Sequence, residues 1–274
     1  MTRSFVLCAD DFAMTQGVSR SILELLAAGK LSATGAMTNR PHWSRLAGEL
    51  AAFSGKADLG LHLNLTCAAP LSSMPTVAPS GVLPKLGELA PLALRSGAAR
   101  SEIAAEIARQ LDAFEQHLGR APDFVDGHQH VHVLPGIRHQ VLDAVAARYP
   151  EGSVYLRDPS DSIAAIRARG VAIGKALTVA GLAIGLRQAA ARSRIPTNRG
   201  FSGFSPFEVE RDFAADLLRF LLQLGPAHLV MCHPGYVDDE LIALDPAVAT
   251  RPIEHAALLA FAPEGLRIDR FAAI

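Results

Sequence analysis

Short, continuously apolar runs alternate along the chain with stretches whose apolar residues recur every three or four positions. Residues 4–9 form the first run and stop at Asp10-Asp11, the pattern of a strand buried on both faces in a parallel sheet. A helix follows from Thr15 or Gln16, with Val18, Ile22, Leu25 and Leu26 at helical spacing and Gly29 as its stop. Residues 32–37 and 58–65 predict two further strands, and 43–53 a helix between them. The Pro-, Gly- and Ser-rich texture of 66–94 predicts a long loop, read as a lid over the strand ends. Ser101 opens an amphipathic helix with Ile103, Ile107, Leu111 and Phe114 on one face. Further strands are expected at 124–128, 153–156, 227–231 and 266–268. Helices are expected at 137–148, through most of 160–194, at 207–224 and at 251–260, with 197–204 as a loop. Strands alternating with helices predict a parallel α/β sheet, open or closed into a barrel.

The length, 274 residues, suits one large domain, and 1–274 is read as a single one. Hydrophobic residues make up 50% and charged residues 19%, enough for a full core and too few charges for a disordered chain. Net charge is −1 and the Lys and Arg residues are dispersed, which argues against nucleic acid as a partner. Cys8, Cys67 and Cys232 are odd in number and lack C-x-x-C spacing, so neither a disulfide framework nor a structural zinc site is expected. The apolar run before Asp10 is too short for a signal peptide, and a reducing cytoplasm is the expected setting. Residues 171–186 are almost wholly apolar but contain Lys175, and they fall short of the ~18–20 residues that span a bilayer. A buried or surface-lying helix is expected there, with peripheral membrane contact as the alternative.

The ionisable residues gather at the C-terminal ends of the predicted strands: Asp10-Asp11, His62, Asp126 with His128, Arg157 and His233. Parallel α/β sheets and barrels build their sites at that edge. The stretch Asp126-Gly127-His128-Gln129-His130-Val131-His132 is the densest part of the pattern. On an extended backbone its three imidazoles share one side, and the neighbouring Asp is suited to orient one of them. Two adjacent aspartates at a buried strand end repel unless a cation or proton separates their roles. One carboxylate with two imidazoles leaves open coordination positions, and such a site polarises a carbonyl oxygen and lowers the pKa of bound water. With Asp10 as base, that water attacks an acyl carbon, and His233 is placed to protonate the leaving nitrogen. Arg157 is suited either to orient Asp10 or to hold a polar group of the substrate.

These stretches resemble the YdjC-like carbohydrate deacetylases, which include chitooligosaccharide deacetylases and hopanoid-associated relatives. The resemblance rests on Ala9-Asp10-Asp11-Phe12, Gly60-Leu61-His62-Leu63-Asn64-Leu65, Asp126 through His132, Tyr155-Leu156-Arg157 and Cys232-His233-Pro234-Gly235-Tyr236, in the family's order. It implies a distorted (β/α) TIM-like barrel and one divalent metal ion, magnesium or zinc, held by Asp11, His62 and His128. It also implies hydrolysis of the acetyl group from an N-acetylated sugar or glycolipid, with Asp10 as base and His233 as acid. His130 and His132 are implied to be supporting groups, and the family likeness suggests a homodimer. Ala13 departs from the Gly that relatives often carry there. The rival readings are a metal-dependent hydrolase of another ester or phosphate bond, and a barrel that binds a glycan or lipid without turnover.

Overall fold

The structure, a computed structural model, describes residues 3–245 and 248–273. Eight strands are present among them: β1 (Arg3–Phe12), β2 (Ala33–Ala36), β3 (Asp58–Leu63), β4 (Phe124–Gly127), β5 (Tyr155–Leu156), β6 (Gly200–Ser202), β7 (His228–Cys232) and β8 (Leu266–Ile268). All pair in parallel, in the order β5-β4-β3-β2-β1-β7-β6, with β8 attached to the first residues of β1. The sheet curls until its edges meet. Leu156 of β5 donates its N–H to the Pro196 carbonyl at 2.9 Å and bridges Thr197, just before β6. One bridge replaces a full ladder at that seam, so the expected barrel forms in distorted shape.

The helices are α1 (Gln16–Ala27), α2 (Trp43–Ala51), α3 (Leu86–Arg95), α4 (Gly97–Leu118), α5 (Arg138–Arg148), α6 (Ile163–Arg169), α7 (Ile173–Leu182), α8 (Leu186–Arg192), α9 (Phe213–Phe220), α10 (Asp239–Leu244) and α11 (Arg251–Ala260). Thr15 caps α1 by accepting the Val18 N–H, and Gly29 takes φ 66° just beyond its end. β1 shows how the core is divided. Phe5, Leu7 and Ala9 join the large cluster beneath the helices, while Val6 and Cys8 join Phe124, Tyr155, Phe201 and Met231 in a second cluster. Strand alternation produces this split.

Several expectations need correction. The last part of the predicted loop at 66–94 is α3, and the rest is pinned by α4. Glu106 accepts the Leu71 N–H and Glu102 accepts those of Thr76 and Val77. α4 begins at Gly97 rather than Ser101, because the Ser96 hydroxyl caps it by accepting the Ala99 N–H at 3.1 Å. Residues 197–204 contain β6, since their backbone finds a partner in β7. The helix expected over 207–224 shrinks to α9, capped by Asp212 and preceded by Phe207 at φ 59°. α10 had no counterpart in the pattern.

Candidate active site

β1 is irregular where it delivers its two aspartates. Ala9 pairs with Thr34 and Phe12 with Ala36, so two residues of β1 oppose only Gly35 of β2. This is a β-bulge, and Asp11 within it has φ 71°, the left-handed region. In an unbroken strand Asp10 and Asp11 would face opposite sides. The extra residue restores the outward direction at Phe12, which returns to the large cluster, and frees both carboxylates for the same cleft. Ala13 also has a positive φ of 68°, a conformation that Gly adopts without the steric cost an alanine carries.

The neighbours have opposite surroundings. Asp10 is held from behind by Arg157, whose Nη1 and Nη2 donate to its two oxygens at 2.6 Å each. Arg157 is fully buried, and its Nη2 also lies 2.6 Å from Asp126 Oδ2. Of the two roles left open for Arg157, the geometry supports orientation of Asp10. Burial outweighs the Arg157 and His62 charges and raises the Asp10 pKa. Asp11 is equally buried, yet His128 and Arg251 beside it, with hydrogen bonds from His128 and His62, hold it well below the usual carboxylate range. Two carboxylates pushed apart in this way are suited to different tasks.

Asp11 Oδ1 lies 2.8 Å from His128 Nδ1 and 3.3 Å from His62 Nε2. The other nitrogen of His62, Nδ1, lies 2.7 Å from Asp126 Oδ1. A side chain at position 35 would crowd that pair, since a Cβ there would sit 3.1 Å from His62 Cβ and 3.3 Å from Asp126 Oδ1. Burial pulls His62 down, but the charges of Asp126 and Asp10 and its hydrogen bonds win, raising it to about 10.

The donor atoms of Asp11, His62 and His128 lie within 4.8 Å of one another, as do those of Asp10, His62 and Asp126. Both carboxylates of the second set already hold the Arg157 guanidinium. The first fits a divalent ion: ligands bound at about 2.1 Å stand roughly 3.0–3.4 Å apart, and an Asp-orienting-His pair completes the arrangement.

The three-histidine stretch does not stay extended. β4 ends at Gly127, and residues His128–Val133 form a 3-10 turn in which Gln129 and His130 have φ of 52° and 58°. The imidazoles therefore part company. His128 turns to Asp11, His130 packs its ring edge-on against Phe201 and Phe204, and His132 Nε2 lies 2.9 Å from the Arg157 carbonyl. Burial lowers His130 far below the normal range and His132 to about 4, so both rings are neutral at ordinary pH.

His233 follows β7, and its ring meets that of Phe207 edge-on at 5.3 Å. Burial drives it well below its ordinary value, which makes its protonated form a strong acid. Asp10, Asp11, His62, His128 and His233 share a cleft of about 410 Å³. One wall is α7, which contributes Lys175, Thr178, Val179 and Leu182. The Lys175 ammonium sits 4.1 Å from the centre of the Phe207 ring, where burial lowers its pKa. The sequence pattern gave no sign of Phe207, Arg251 or Glu254. Lys175 was visible only as a lone charge in an apolar run.

A family model described as YdjC-like protein matches residues 4–262. The chain belongs to that family. The chitooligosaccharide deacetylases of Yersinia pestis (strain Pestoides F) and Yersinia pseudotuberculosis serotype O:1b (strain IP 31758) are each 30% identical to this YdjC-like chain over 247 residues. Those matches cover 88% of this chain and 85% of the relative. A solved structure from Enterococcus faecalis V583, named for a suggested role in cellobiose-phosphate cleavage, superposes with a TM-score of 0.72. It covers 100% of this chain and 99% of its own at 19% identity, a likeness of fold. No described helix of the YdjC-like chain is long and apolar enough to cross a membrane.

Proposed function

We propose that this chain is a single-domain, divalent-metal-dependent hydrolase that removes the acetyl group from an N-acetylated amino sugar, either an oligosaccharide or a glycolipid. The observation that carries the reading is the division between Asp10 and Asp11. One is a buried carboxylate with raised proton affinity, the other a strongly ionised carboxylate aimed at two imidazoles. The chitooligosaccharide deacetylase relatives support the substrate class.

In this reading Asp11, His62 and His128 hold the ion, which supplies Lewis acidity to a carbonyl and a lowered pKa to water. Asp10, kept in place by Arg157, takes a proton from the attacking water. The water oxygen bonds to the acetyl carbon. The negative charge that develops nearby favours the charged form of His233. As the C–N bond breaks, His233 gives its proton to the amine, so the products are acetate and the free amino sugar. Asp126 holds His62 Nδ1 and leaves Nε2 directed at Asp11.

The test combines metal content with acetate release from a panel of N-acetylglucosamine oligomers, O-acetyl esters and phosphate esters. A single bound divalent ion with amide turnover is expected. Turnover of a phosphate ester alone, or full activity of Asp10→Asn at saturating metal, would replace this reading with another.

The glycolipid branch has its own support. α7 exposes Ile173 (36%) and Leu182 (38%), and Ile184 just beyond it is 76% exposed, while Leu182 also lines the cleft. An apolar helix that is both cleft wall and surface is suited to a lipid tail or to peripheral membrane contact.

A further inference from the structure

α11 carries two groups that reach the cleft's machinery from outside it. Arg251 opens the helix, is 2% exposed, and donates from Nη2 to Asp11 Oδ2 at 2.6 Å. Its Nε donates to Asp245 Oδ2 at 2.5 Å. With Oδ2 of Asp11 engaged, Oδ1 is the oxygen left for His128 and His62. One turn later, Glu254 accepts the His233 backbone N–H at 2.6 Å. The Arg251 carbonyl accepts the Gly235 N–H at 3.2 Å, and a Cβ on Gly235 would stand 3.1 Å from Arg251 Cδ. The first turn of α11 therefore joins the β1 bulge to the loop that bears His233.

We infer that Arg251 is a positioning residue for the ion site, fixing which oxygen of Asp11 faces the two imidazoles and limiting that carboxylate to one ligand atom. The inference rests on the reading of Asp11, His62 and His128 as the ligand set. Charge and orientation predict opposite signs. A guanidinium beside the site repels a cation, so if charge dominated, its removal would tighten binding. Asp245 offsets that charge at short range. Losing an outer partner of a metal ligand typically weakens affinity by about 10–100-fold, and orientation wins on that magnitude.

Calorimetric titration with Zn²⁺ alone, on the full chain, decides between them. Wild type takes up one ion and His62→Ala takes up none. Arg251→Met binds one ion at least about tenfold more weakly, and Arg251→Lys, with a single point of donation, falls between the two. Arg251→Lys keeps the positive charge, so weaker binding in it reports lost orientation alone. If near-UV circular dichroism shows that Arg251→Met does not fold, Arg251→Lys decides. Unchanged or tighter binding in the deciding variant overturns the inference and leaves the ligand set standing. A wild type that binds no ion, or His62→Ala binding as wild type does, removes the ligand set and the inference with it.

Discussion

The rim of the cleft and its α7 wall are built on opposite plans. At the rim, charged side chains are buried and multiply bonded: Arg157 between Asp10 and Asp126, Asp11 between Arg251 and His128. Such groups are costly to desolvate and are stable only in the presence of their partners. The wall is apolar and half open to solvent, with Ala176 as its one fully buried residue among those of α7. In the proposed reading the reacting groups are locked by ion pairs. The wall that would meet the bulk of a substrate carries few constraints, so changes in one should leave the other nearly intact.

The sharpest way to break this comparison is at the rim. His62→Ala is expected to lose the ion and all measurable deacetylation, and Asp10→Asn to keep the ion while turnover falls about 10²–10⁴-fold. Metal analysis beside acetate release checks both. Next in size is the outer support. Glu254 is 1% exposed, and burial raises it from 4.5 to about 7 against the His233 N–H and Arg251. A buried acid with a raised pKa stabilises the fold below the unfolded value. That stability declines between pH 4.5 and 7 and is gone above. The loss is about 3 kcal/mol, and urea denaturation of Glu254→Gln across that range should show the decline flattened.

Just beyond the wall, Ile184→Asp, at a position 76% exposed and outside the cleft lining, should leave turnover of a short N-acetylated oligosaccharide within about twofold, as for other exposed substitutions. Vesicle co-sedimentation should fall, and equal sedimentation of both proteins would discard the lipid reading. The smallest effect is expected at Ala13. Replacing it by Gly relieves a left-handed alanine and should stabilise the protein by about 0.5–1 kcal/mol, read from the denaturation midpoint.

Much of the rim was legible because parallel strands deliver their C-terminal residues to one edge, whatever their separation in the chain. Asp10, Asp11, His62, His128 and His233 come together for that reason. The fate of His130 and His132 was not, because alternation of side chains holds only while the backbone stays extended, and it ends at Gly127. Arg251 and Glu254 escaped notice because two polar residues in the first turn of a late amphipathic helix look the same whether they face water or a buried carboxylate. α3 was hidden by Gly87 and Pro91, which mark a loop in most contexts. The seam between β5 and β6 was also invisible, since a single bridge leaves no repeat in the pattern.

The surplus residue in β1 means that competence here depends on a miscount. Excising either Asp10 or Asp11, rather than replacing it, would let β1 and β2 pair residue for residue and leave a smoother sheet. Such a shortened chain should take up no ion and should melt lower by circular dichroism, because Arg157 or Arg251 loses a buried partner. In the proposed mechanism, the flaw in the ladder lets consecutive residues serve as two different reagents.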